Sequence, residues 1–106
     1  MPKYLVMANY TSEGMKGLMA KGGTARRSAV EKMAAELGGR LESFHFAFGD
    51  HDAFVIVDLP DNTAAAAVGM AVSASGMAAA TTTVLLTPEE VDKASSASVE
   101  YVAPGT

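Results

Sequence analysis

Cysteine is absent from this 106-residue sequence, and so is tryptophan. The first absence removes disulfides, thiolate metal ligands, Cys nucleophiles and thiol redox chemistry together, and makes a reducing intracellular compartment the simpler setting. Basic residues are scarce as well. Eight Lys and Arg against twelve Asp and Glu leave a net charge of −4, without the cationic excess that nucleic-acid binders use to neutralise phosphates. Arg26-Arg27 is the only adjacent basic pair. No apolar run approaches the roughly 20 residues that a membrane-spanning helix needs, and Met1-Pro2-Lys3-Tyr4 does not open a signal-peptide pattern. The expectation is a soluble cytoplasmic protein with neither nucleic acid nor membrane as partner. A chain of this length buries roughly 60 to 70 per cent of its unfolded surface as one domain, without metal or crosslink.

What is present is a regular alternation of strand and helix signals. Tyr4 to Tyr10 is apolar on both alternating faces, as in a central strand covered from two sides. Leu18, Met19, Ala25, Ala29, Val30, Met33 and Leu37 then recur at three- and four-residue steps and form one helical stripe. Gly22-Gly23 predicts a break within it, with Thr24 placed to cap a second segment. Gly38-Gly39 stops that segment.

Arg40 to Phe48 reads as a strand with Phe44, Phe46 and Phe48 on one face and Ser43, His45 and Ala47 on the other. Gly49-Asp50-His51-Asp52 predicts a tight hairpin into a strand from Ala53 to Leu59, with Phe48 paired to Ala53. Pro60-Asp61-Asn62 offers a helix cap, the Ala-rich stretch from about Thr63 supplies the helix, and Gly76 ends it. Thr81 to Leu86 reads as a fourth strand, and Thr87-Pro88-Glu89-Glu90 as cap, first-turn proline and capping-box acid of a short last helix. The domain is expected over residues 1–94. Residues 95–106 read as a tail, mobile or pairing at a sheet edge through Val99 to Val102.

This order of elements predicts an α+β ferredoxin-like βαββαβ sandwich, a four-stranded antiparallel sheet with its helices on one face. The uncovered face carries Phe54, Ile56 and half of the first strand, an apolar surface that needs a cover. The most economical cover is the same face of a second chain, giving a homodimer with a barrel-like core, or a higher homo-oligomer built from such dimers.

Met1 to Val6, Gly38-Gly39-Arg40-Leu41, Gly49-Asp50-His51-Asp52-Ala53 with Val55-Ile56-Val57, and Pro60-Asp61 before the Ala-rich helix together resemble the GYD domain family. The resemblance runs from about Met1 to Glu90. Gly49 and Asp52 fit the Gly-Tyr-Asp signature at the hairpin, and His51 stands where the tyrosine is expected. The resemblance implies a small ferredoxin-like protein of the dimeric α/β-barrel kind, from an uncharacterised family with no agreed substrate or catalytic residues to carry over.

No catalytic, cofactor or nucleic-acid signature is present, and no cofactor is expected. His45 is the best catalytic candidate, because a histidine on a sheet face can act as a general base near neutral pH; an interface histidine is the plainer reading. Asn9, Tyr10, His45 and Asp52 sit toward one end of the sheet and are the candidate ligand-binding set. Asp50, His51 and Asp52 with His45 offer metal-ligand chemistry, yet Asp and Gly form turns on their own account, so no metal site is assigned. Arg26, Arg27 and Lys32 suit either an anionic ligand or a solvated helix face. Two functions fit these residues: an oligomeric binding or assembly module, with a small organic molecule as its candidate ligand, or a cofactor-independent oxygenase or isomerase acting on a small organic molecule.

Overall fold

The computed structural model describes all 106 residues. Its β-branched and aromatic runs form strands β1 (Lys3–Tyr10), β2 (Arg40–Phe46), β3 (Ala53–Asp58) and β4 (Ala78–Leu85). Its Ala-rich and capped stretches form helices α1 (Ser12–Lys21), α2 (Gly23–Glu36), α3 (Asn62–Ser75) and α4 (Pro88–Ser95). The strands make one open sheet in the order β2-β3-β1-β4, with every neighbouring pair antiparallel. The chain is therefore α+β with four helices and a four-stranded antiparallel sheet. No helix is long and apolar enough to cross a membrane.

The helix boundaries obey local chemistry. Thr11 caps α1 by accepting from the Gly14 amide, Asp61 caps α3 by accepting from Ala64, and Thr87 with Glu90 closes a complete capping box on α4. The double glycine breaks the first helical stripe as expected, but Thr24 does not cap the second segment. Gly22, at φ +90°, is the junction residue, and α2 begins directly at Gly23. Only a residue without Cβ turns the chain so sharply at that φ, so the break leaves no room for an intervening cap.

The hairpin is longer than a tight turn. Phe46, not Phe48, pairs with Ala53, and β2 ends there. Glu42 forms a bulge, with Leu41 opposite Val57 and Ser43 opposite Ile56. The Ala47 amide donates to Asp52 O at 2.8 Å, and Phe48 projects fully into solvent at the tip. A two-residue shift preserves parity, so Phe44 and Phe46 still share a face with Val55 and Val57.

One face of the sheet meets the helices. Tyr4 and Val57 pack there with Leu59, Ala34 of α2, and Ala65 and Val68 of α3, and the Tyr4 hydroxyl donates to Asn62 Oδ1 at 2.6 Å. Along β3 the burial alternates: Ala53, Val55 and Val57 are buried, Phe54 and Ile56 half-buried. The second face, bearing Leu5, Met7, Phe54 and Ile56, has no helix over it. Only 9 of 106 residues are buried. The radius of gyration of 16.8 Å exceeds the roughly 13 Å of a self-contained domain of this size. Much of the excess is an arm, since nearly every residue from Leu86 to Thr106 is exposed.

Candidate functional site

The hairpin end of the sheet gathers Asn9, Asp52 and His51. Asp52 Oδ2 accepts the Tyr10 amide at 2.8 Å, and the Asp52 amide donates to Ala8 O at 2.9 Å, which clamps the turn onto β1. Asn9 bridges the same gap: its Nδ2 donates to Asp50 O at 3.1 Å, and its Oδ1 lies 3.1 Å from His51 Nδ1. The His51 ring stands edge-on to Phe54, centroids 5.9 Å apart. His51 thus supplies both a ring for Phe54 and a polar atom for Asn9.

His45 pairs with Phe54 in the register and lies exposed on the same open face. Tyr10 belongs to the other set. Val6, Ala8 and Tyr10 alternate toward the helices, and Tyr10 lines the clefts beside α1 and α2. The structure therefore brings Asn9, Asp52 and the Tyr10 backbone together, and separates the Tyr10 ring from His45 by the thickness of the sheet. No group of three His, Asp or Glu side chains is placed to hold a metal ion.

At the opposite end of the open face, Lys3 Nζ lies 2.8 Å from Asp58 Oδ1 and 2.5 Å from Glu42 Oε1, and Arg40 approaches Asp58 Oδ2 at 3.5 Å. The bulge at Glu42 makes this cluster possible. The hydrogen bond from Lys3, reinforced by Arg40, holds the Asp58 carboxyl below its ordinary range, although burial pulls the other way. Asp58 therefore finds its cations within its own chain.

The other feature of chemical interest lies between sheet and helices. At the Tyr4 end the sheet side chains Tyr4 and Val57 close on Leu59, Ala34, Ala65 and Val68, whereas toward Tyr10 the sheet presents Ala8, Ala53, Ala78 and Ala80 in register. These small residues leave a hollow of about 310 Å³. Its walls include Val30 and Met33 of α2 and Val68 and Val72 of α3, and apart from the Tyr10 hydroxyl its polar lining is confined to Arg26 and Ser75. A second cleft of about 410 Å³ runs between α1 and α2 and shares Tyr10, Arg26 and Met77 with the first. Partial burial raises the pKa of Tyr10, opposed by the nearby Arg26 charge and assisted by Asp52. In the sequence Arg26 and Tyr10 stand 16 residues apart with no local pattern linking them. The signal that joins them is the run of alanines at one end of three strands, visible only once the register is known.

Fold and sites together define a small α+β domain with one helix-covered sheet face, one open face and an alanine-floored hollow. The chain belongs to the GYD domain family, whose profile matches residues 4–95. No curated protein and no solved structure matches it.

Proposed function

We propose that this GYD domain is a ferredoxin-like homodimeric binding and assembly module, built by packing the open sheet faces of two copies into a dimeric α/β barrel. The observation that carries the reading is the uncovered apolar face of Leu5, Met7, Phe54 and Ile56 on a chain that buries only 9 of its residues. The element order and the strand order β2-β3-β1-β4 support the ferredoxin-like description. The face suits a twofold partner. Charged groups (Lys3, Glu42, Arg40 and Asp58) lie at one end, His45, His51 and Asn9 lie at the other, and the centre is apolar.

The alternative, a cofactor-independent oxygenase or isomerase with His45, Tyr10 and Asn9 in one pocket between helices and sheet, lacks this support, because His45 and the Tyr10 ring project from opposite faces.

Sedimentation equilibrium tests the reading. The wild-type chain is expected at twice its 10.9 kDa mass, and Ile56→Glu at the single-chain mass. Each buried aliphatic side chain contributes about 1.5–3 kcal/mol, and twofold symmetry counts the change twice, so association weakens by about 3–6 kcal/mol, or about a hundredfold to ten-thousandfold in Kd. A wild type that sediments as a single chain at micromolar concentration overturns the proposal.

A further inference from the structure

We propose that the hollow between α2 and α3 is a binding site for a small apolar monocarboxylate, its hydrocarbon lying over the alanine floor and its carboxylate paired with Arg26. This goes beyond the dimer reading, since the hollow lies wholly within one protomer.

The first support is volume. The hollow opens to solvent beside the exposed Arg26, Ala71 and Ser75. An apolar hollow of about 310 Å³ is at the small end of ordinary ligand sites, about 300–1,000 Å³. It is floored by Ala8, Ala53, Ala78 and Ala80, four positions where ordinary core residues would close it. From Val6 to Tyr10 the floor spans four residue steps, about 13 Å at 3.3 Å each, a length suited to a medium-chain or arylalkyl acid.

The second support is the chemistry at the rim. The other two arginines are each satisfied by acids: Arg27 pairs with Glu31 at 3.4 Å and Arg40 with Asp58 at 3.5 Å, whereas Arg26 has no acid within ion-pair reach. A guanidinium beside apolar walls favours a planar carboxylate, which it binds through two parallel hydrogen bonds. The Tyr10 hydroxyl and Ser75 add two further polar groups at the same site. One unpaired cation matches one negative charge. The adjoining α1–α2 cleft carries Glu13 and Lys21 together, which gives no additional net positive charge for a dianion. An ammonium ligand meets Arg26 with like charge, and a neutral alcohol gains only the apolar contact.

The test is calorimetric titration of the full-length chain with octanoate, 1-octanol and octylammonium, repeated with Arg26→Gln and Ala71→Phe. Arg26 and Ala71 lie at the rim, outside the packed core, so neither change disturbs it. Octanoate is expected to bind at least tenfold more tightly than 1-octanol, with no binding of octylammonium. Arg26→Gln is expected to bring octanoate to the level of 1-octanol without lowering the melting temperature. Ala71→Phe is expected to abolish binding of both by filling the hollow. Equal affinity for octanoate and 1-octanol, undiminished octanoate binding by Arg26→Gln, or no octanoate binding at millimolar concentration overturns the proposal. Sedimentation mass reads the dimer separately, so failure of one proposal is distinguishable from failure of the other.

Discussion

Two glycines three residues apart on α1 are expected to respond to alanine with opposite signs. Gly→Ala within a helix ordinarily stabilises by about 0.5–1 kcal/mol, because alanine loses less backbone entropy on folding. Gly17 fits that rule, since a Cβ there meets nothing within 4 Å. At Gly14 a Cβ would stand 1.9 Å from Met77 O, where an ordinary carbon–oxygen contact is about 3.3 Å. The carbonyl is not free to retreat. It accepts the Thr11 amide at 2.9 Å and the Thr11 hydroxyl at 3.1 Å, and that hydroxyl also accepts the Gly14 amide as the helix cap. Opening the contact puts at risk a backbone hydrogen bond worth about 0.5–1.5 kcal/mol and a cap worth about 0.5–2 kcal/mol. Set against the gain in helix propensity, Gly14→Ala is expected to cost about 1–3 kcal/mol net. The two variants then differ by roughly 2–4 kcal/mol, and each kcal/mol shifts the melting temperature of a domain this size by about 4–8 °C. Thermal unfolding observed by circular dichroism at matched protein concentration reads the difference, the matching being needed because association raises apparent stability. If both variants rise in melting temperature, the close approach of α1 to the α3–β4 turn is wrong.

Removing the buried hydroxyl in Tyr4→Phe is expected to cost about 0.5–1.5 kcal/mol in urea unfolding, because the exposed Asn62 turns to water; Leu59→Ala, which opens a void in the core, is expected to cost about 2–5 kcal/mol. The Lys3–Asp58 pair sets an acid response. Asp58 titrates below its ordinary value in the folded chain, so its contribution is full above the unfolded carboxyl pKa of about 3.9 and is lost as pH falls through the lower folded value. Lys3 titrates above its ordinary value, through its bonds to Asp58 and then Glu42, so its contribution is present below that value and is lost as pH rises through the raised one. Urea midpoints between about pH 2 and 5 are expected to fall less steeply in Lys3→Met than in the wild type, and equal slopes refute the linkage.

Much of this architecture was legible because local signals agreed. The Thr87-Pro88-Glu90 box, the Asp61 cap and Gly76 as the left-handed end of α3 all rest on chemistry within a few residues. The register of the hairpin was not legible. The bulge at Glu42 is stabilised by Lys3, 39 residues away in sequence, and no local pattern announces that contact. The candidate residues Asn9, Tyr10, His45 and Asp52 all lie toward one end of the sheet, but side-chain direction divides them. Parity sends Tyr10 to the helices and His45 to the open face; the strand pattern already sets His45 on the side of Phe54 and Ile56, whereas the side of Tyr10 follows only from the observed pairing of β1 with β3. The hollow depends on three strands presenting alanine at one level, a long-range coincidence that composition alone does not locate.

Hydroxyl-radical footprinting of the native protein against Ile56→Glu tests the buried-face claim most directly. Met19 and Phe48 are exposed in the isolated chain and serve as internal references. Met7 and Phe54 are expected to be strongly protected in the wild type and to oxidise several-fold faster in the variant, with the references unchanged. Equal oxidation of Met7 and Phe54 in the two proteins would mean that the open face stays in contact with water, contradicting the proposed dimer.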